Sequence, residues 1–176
     1  EDLDQAAYGY EEALKITPDC LEAAQPLSDI CVGKEQWERA EQTLDVVALK
    51  LSKPAQDDPE IARDLCRQVY RLGYVCQKLN KTKKALEAYR QAYSLDASYL
   101  LVLEGLAHLL VGAGELDEAN RVYQTILLQH KDNLPDVEIV EIYWQLGDIS
   151  LKLRQPDRAL NFFEKALAID PGHEAS

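Results

Sequence analysis

The sequence predicts an all-α chain built from a repeated pair of antiparallel helices, and three observations carry that prediction. Apolar residues recur at spacings of three and four along nearly all 176 residues, and no stretch alternates in the way a half-buried strand requires. Alanines recur at Ala6, Ala40, Ala85, Ala119 and Ala159, separated by 34, 45, 34 and 40 residues. Each is followed four residues later by a large apolar side chain (Tyr10, Leu44, Tyr89, Tyr123, Phe163) and three further on by Ala13, Val47, Ala92, Ile126 or Ala166. A fixed repeat of this length marks stacked supersecondary units.

A second set of positions places the partner helix. Thirteen residues ahead of every alanine but the first stands a leucine followed by a small residue: Leu27-Ser28, Leu72-Gly73, Leu106-Ala107 and Leu146-Gly147. Small residues at two fixed points let the helices of a hairpin approach closely, and the leucine and aromatic positions fill the space on either side.

Taken in order, residues 1–20 hold half a unit, closed near Pro18, where a proline stops one helix and sets up the next. Residues 21–65 hold a full unit with an insertion. Pro26 falls inside its first helix, where the missing donor should bend it. The inserted stretch "LSKPAQDDPEI" places Asp58 to cap a helix opened by Pro59, so the helices on both sides should run long. Residues 66–99 form a unit of ordinary length. Residues 100–139 carry extra residues around "QHKDNLPDV", with Pro135 placed to open the next helix, and residues 140–176 complete the series. The acidic start without an initiator Met reads as a piece of a longer protein holding one solenoid domain. Leu160, Phe163 and Leu167 are expected to leave apolar surface uncovered, which either further chain of the longer protein covers or copies use to self-associate.

This pattern resembles the tetratricopeptide repeat family, whose 34-residue unit has a small residue in each helix, an aromatic in the second and a closing proline. The resemblance covers nearly the whole chain as four full repeats preceded by half of one. It implies a right-handed α-solenoid that binds protein partners in a concave groove lined by the first helix of each repeat.

The groove positions of the family, transferred by register, select Glu22, Gln25, Pro26 and Asp29 in the second repeat and Arg67, Tyr70, Arg71 and Tyr74 in the third, with Gln77 and Lys78 behind them. The fourth supplies Leu101, Glu104, Gly105 and His108, and the fifth Glu141, Trp144, Gln145 and Asp148. The chain carries a formal charge of −12, yet residues 63–90 hold eight bases against two acids. Such an island would focus an acidic peptide. Arg67 and Arg71 have two readings. They face a ligand, or they pair with Asp64, Asp29 or Glu104 as inter-repeat salt bridges. The clamp that family members use for the acidic terminus of heat-shock chaperones is matched here only by Arg67 and Arg71, with Gln25 and Asp29 standing where the preceding repeat departs from it.

Other chemistry finds little support. An excess of 31 acids over 19 bases argues against nucleic acid. No apolar run is long enough to span a membrane, and no signal layout is visible, so a cytoplasmic location is expected. Cys20, Cys31, Cys66 and Cys76 lack metal or redox spacing and read as reduced, with Cys31 and Cys76 buried. "VGAGELDEA" follows no strand and reads as a turn rather than a phosphate loop. His173-Glu174 has no second histidine after it, and no cofactor, metal or catalytic residue is assigned. The expected function is a non-enzymatic binding module or scaffold for a peptide or helical segment. Self-assembly of a larger protein and a targeting arm of a multidomain enzyme are the alternatives.

Overall fold

The computed structural model describes residues 2–172, so His173 and Glu174 lie outside the described residues. Among the described residues there are nine α-helices and no strand. They are α1 (Asp2–Ile16), α2 (Leu21–Gly33), α3 (Trp37–Ser52), α4 (Pro59–Lys78), α5 (Thr82–Leu95), α6 (Leu100–Ala113), α7 (Leu116–His130), α8 (Asp136–Lys152) and α9 (Pro156–Ile169). Single 3-10 turns at Pro54–Gln56 and Lys131–Asn133 occupy the two insertions.

The chain divides into two compact units, Glu1–Ala97 and Ser98–Ser176. In the first, α1 packs on α2, α2 on α3, α3 on α4 and α4 on α5. In the second, α6 packs on α7, α7 on α8 and α8 on α9. Within each unit every helix thus touches its neighbours in sequence, as stacked hairpins require.

The repeat register coincides with burial. Ala40, Ala85, Ala119 and Ala159 are at most 1% exposed, as are Leu44, Tyr89 and Ile126 one or two turns on. The small partner positions are equally tight. A Cβ added to Gly73 would stand 2.9 Å from the Tyr89 ring, and one added to Gly147 would stand 2.3 Å from Phe163. Glycine is required there because the aromatic of one helix lies directly against the backbone of the other. The first half repeat departs by one residue, since Ala7 is buried and Ala6 only half-buried.

Helix ends follow local chemistry. The Asp58 carboxylate accepts from the Glu60 N–H at 2.8 Å and the Ile61 N–H at 3.4 Å, and Pro59 opens α4. With 20 residues α4 outruns the 13 of α2 and the 14 of α5. Pro135 sits at the start of α8. The helix α2 runs unbroken through Pro26, its sixth residue, where the ring removes one helical hydrogen bond. Phe163 is half-buried, its ring held against Gly147 and 4.5 Å from that of Trp144. Leu160 and Leu167 do remain exposed.

Candidate functional site

In the first unit, α4 carries Arg67, Tyr70, Arg71 and Tyr74 beside α2. Arg71 Nη1 donates to Asp29 Oδ1 on α2 at 2.7 Å and to Gln68 Oε1 at 3.0 Å. Arg67 lies 3.5 Å from Asp64, one turn earlier. Asp64 also accepts from Gln25 Nε2 of α2 at 3.0 Å and from Gln68 Nε2 at 3.3 Å. Gln25, Asp29, Asp64, Arg67, Gln68 and Arg71 therefore form one polar seam between two first helices. The arginines differ within it. Arg71 keeps a quarter of its side chain exposed and is tied to α2, whereas Arg67 keeps 63% exposed.

The basic island is largely neutralised. Of its eight bases, Arg63 pairs with Glu60, Arg67 with Asp64, Arg71 with Asp29, and both Lys81 and Lys84 with Glu41. Glu41, on α3, is buried, and Lys84 Nζ reaches it at 2.9 Å and Asp45 at 2.6 Å. Burial alone would raise the Glu41 carboxyl, but hydrogen bonds from Lys81 and Lys84 outweigh it and hold the group below the ordinary carboxylate value.

The aromatics divide similarly. Tyr70 packs at 5.9 Å on the Tyr89 ring of α5 and is half-buried. Tyr74 is 37% exposed, with the edge of Trp37 at 6.1 Å and Lys78 Nζ 5.2 Å from its centroid.

In the second unit, Glu104 of α6 and Glu138 and Glu141 of α8 surround a cleft of about 210 Å³ lined also by Tyr123, Ile126 and Ile142. Burial raises the Glu104 carboxyl, the charge of Glu138 adds to that, and His130 opposes it. Burial and then Glu141 push the Tyr123 phenol up to about 12. Gln145 Nε2 donates to Glu141 Oε1 at 2.7 Å. Trp144 is half-buried against Phe163, while His108 and Asp148 are exposed on α6 and α8.

Sequence reasoning placed Glu104 and Glu141 on this face but missed Glu138 and Tyr123. Glu138 precedes Glu141 by three residues and so shares its helix face, a signal that was available. Glu41 was missed as well, because nothing local to residue 41 announces Lys81 and Lys84. Among the described residues no group of three or more His, Cys, Asp or Glu side chains is arranged to hold a metal. None of the described helices is long and apolar enough to cross a membrane.

Stacked helix pairs whose first helices present charged and aromatic residues define an α-solenoid of the interaction-scaffold class. Two family models, both described as tetratricopeptide repeat, match residues 78–141 and 140–173, together more than half of the chain. The chain belongs to the tetratricopeptide repeat family, whose members are generally protein-protein interaction scaffolds without chemistry of their own. The uncharacterized protein ycf37 of Porphyra purpurea is 26% identical over 113 residues. That match covers 64% of this chain and 64% of ycf37, so it spans less than two thirds of the relative. YrrB, described as a TPR protein with an unusual peptide-binding site, superposes with a TM-score of 0.71 at 21% identity, over 98% of this chain and 80% of its own. MamA superposes with a TM-score of 0.70 at 20% identity, over 97% of this chain and 90% of its own. At such identity these likenesses speak for the fold alone, a right-handed α-solenoid of helix hairpins.

Proposed function

We propose that the chain captures a segment of another protein on the exposed faces of its first helices, α4 in the first unit and α6 with α8 in the second. Tyr74 carries the reading. Its ring is more than a third exposed on a helix face, yet it is fixed in place by Trp37 and Lys78. A preordered aromatic of this kind offers contact area at low entropic cost and is the usual anchor of a recognition surface. Arg67 supplies a charge-assisted hydrogen bond to a partner carboxylate, worth roughly 1.5 to 3 kcal/mol. Arg71 joins only after leaving Asp29, and Tyr70 backs the surface. In the second unit Glu104, His108, Trp144, Gln145 and Asp148 are the contact residues. YrrB, similar in fold, is described as having a peptide-binding site, which supports the same class of occupant.

The test is capture of a partner identified by pull-down and mass spectrometry, repeated with Tyr74→Ala and with Arg67→Glu plus Arg71→Glu. Each variant is expected to weaken capture about tenfold or more while the helical melt moves little. Undiminished capture by both overturns the reading.

A second reading, self-association, is favoured by α9, where Leu160 is 59% and Leu167 42% exposed. Light scattering across a concentration series decides it, because a strict monomer that still captures partner rules it out.

A further inference from the structure

The cleft of the second unit has the opposite chemistry to α4. Ile126 and Ile142 are buried in its wall, and Tyr123, 91% buried, lines it with a hydroxyl that hydrogen-bonds to no described residue. Around this apolar floor stand three carboxylates. Neither Glu104 nor Glu138 pairs with a lysine or arginine among the described residues, and Glu141 receives only the neutral amide of Gln145 at 2.7 Å. His130, at the end of α7, has its Nε2 buried without a hydrogen-bond partner. All three carboxylates keep solvent exposure, yet partial burial and the charge of Glu138 raise the Glu104 carboxyl, so folding gains nothing from gathering these like charges. The missing component is a cation with an apolar body.

We propose that this cleft receives an arginine or lysine side chain of a partner protein. The aliphatic stem lies on Ile126 and Ile142, the charged head sits among Glu104, Glu138 and Glu141, and the Tyr123 oxygen accepts one of its N–H groups. About 210 Å³ is room for a single long side chain. The inference rests on the reading that first-helix faces capture a protein segment, and it names that segment's chemistry: the part meeting the second unit is basic. Residues 98–176 carry 13 acids against 6 bases, so long-range attraction favours the same partner.

The probe is a blocked pentapeptide, Ala-Leu-Arg-Leu-Ala, titrated into the 176-residue chain and followed by amide chemical shifts. Its counterpart carries citrulline, which keeps the shape of arginine and removes the charge. The arginine peptide is expected to give saturable shifts at Tyr123, Ile126 and Ile142, with the citrulline peptide at least about tenfold weaker. Glu104→Gln with Glu138→Gln should reduce arginine-peptide affinity about tenfold. That variant loses mutual repulsion, so its amide spectrum and melt will show it folded. Equal binding of the two peptides, or wild-type affinity in the double variant, overturns the proposal. Either result leaves the general capture reading standing, because that reading is judged separately by Tyr74→Ala and the arginine reversal. Loss of capture in those variants leaves the cleft to be judged by its own titration.

Discussion

Arg71 of α4 and Asp29 of α2 form an ion pair of 2.7 Å that bridges two successive repeats. Asp29 is two-thirds exposed, so the pair adds only about 0 to 1 kcal/mol to stability. Its larger effect is on availability. Asp29→Ala should leave the melt within about 1 kcal/mol of wild type while freeing Arg71 and strengthening the binding of an acidic peptide, read by isothermal titration. Weaker binding by the variant would mean that Asp29 orients Arg71 rather than competing for it.

A glycine at a repeat position and one outside it should respond differently to the same change. Gly147→Ala puts a methyl against the Phe163 ring and is expected to cost about 1 to 3 kcal/mol by overpacking. Gly112, in α6, has nothing within 4 Å of a new Cβ, and Gly112→Ala should gain about 0.5 to 1 kcal/mol from helix propensity. Ala119→Leu, at a position with no exposed surface, should cost about 1 to 3 kcal/mol. Urea unfolding measures all three, and a neutral Ala119→Leu would contradict the register.

Acid titration of stability should carry two contributions of opposite sign. Glu41 is held below its ordinary value by Lys81 and Lys84, so its contribution is full above the unfolded carboxylate pKa of about 4.3 and is lost as pH falls through the lower folded value. Glu41→Gln should therefore cost about 1 to 3 kcal/mol at pH 7 and flatten the acid limb. Glu104 is raised, so its ionised form is a cost above the folded value and is relieved as pH falls toward the unfolded one. Glu104→Gln should stabilise the chain at pH 7 and have no effect below pH about 4. Urea midpoints across pH 3 to 8 separate the two.

Thiol labelling reads the core directly. Cys66 and Cys76 are buried and pushed up to about 11, chiefly by desolvation, and Cys31 is raised for the same reason. Cys20 is only half-buried. Iodoacetamide at neutral pH should label Cys20 in the native chain and all four thiols in denaturant. Rapid native labelling of Cys66 or Cys76 would show that their hairpins open easily.

The fold was legible because packing writes itself into residue size at fixed intervals. Gly73 and Tyr89 sit sixteen residues apart, and either alone means little; the same pairing in Gly147 and Phe163 makes the hairpin readable. The Asp58-Pro59 cap was legible for a different reason, since its partners are two and three residues away. The polar seam was legible only as alternatives. Register puts Arg71 near α2, but whether it meets Asp29, Gln68 or a ligand depends on side-chain torsions that repeat spacing does not encode. Glu41 and its lysines were out of reach altogether, because they are about forty residues apart and come together only once α3, α4 and α5 stack.

The contact of Gly73 with Tyr89 and that of Gly147 with Phe163 bear on how this array changes over generations. The corresponding couples elsewhere are Ser28 with Leu44 and Ala107 with Tyr123. A hairpin thus inherits its two helices as a matched couple. Exchanging whole hairpins between repeats keeps every couple intact, whereas recombining α2 with α5, or α8 with α3, sets Ser28 against a ring or Gly147 against a branch it was never shaped for. Duplication by hairpin is the open route, and shuffling by single helix is the closed one.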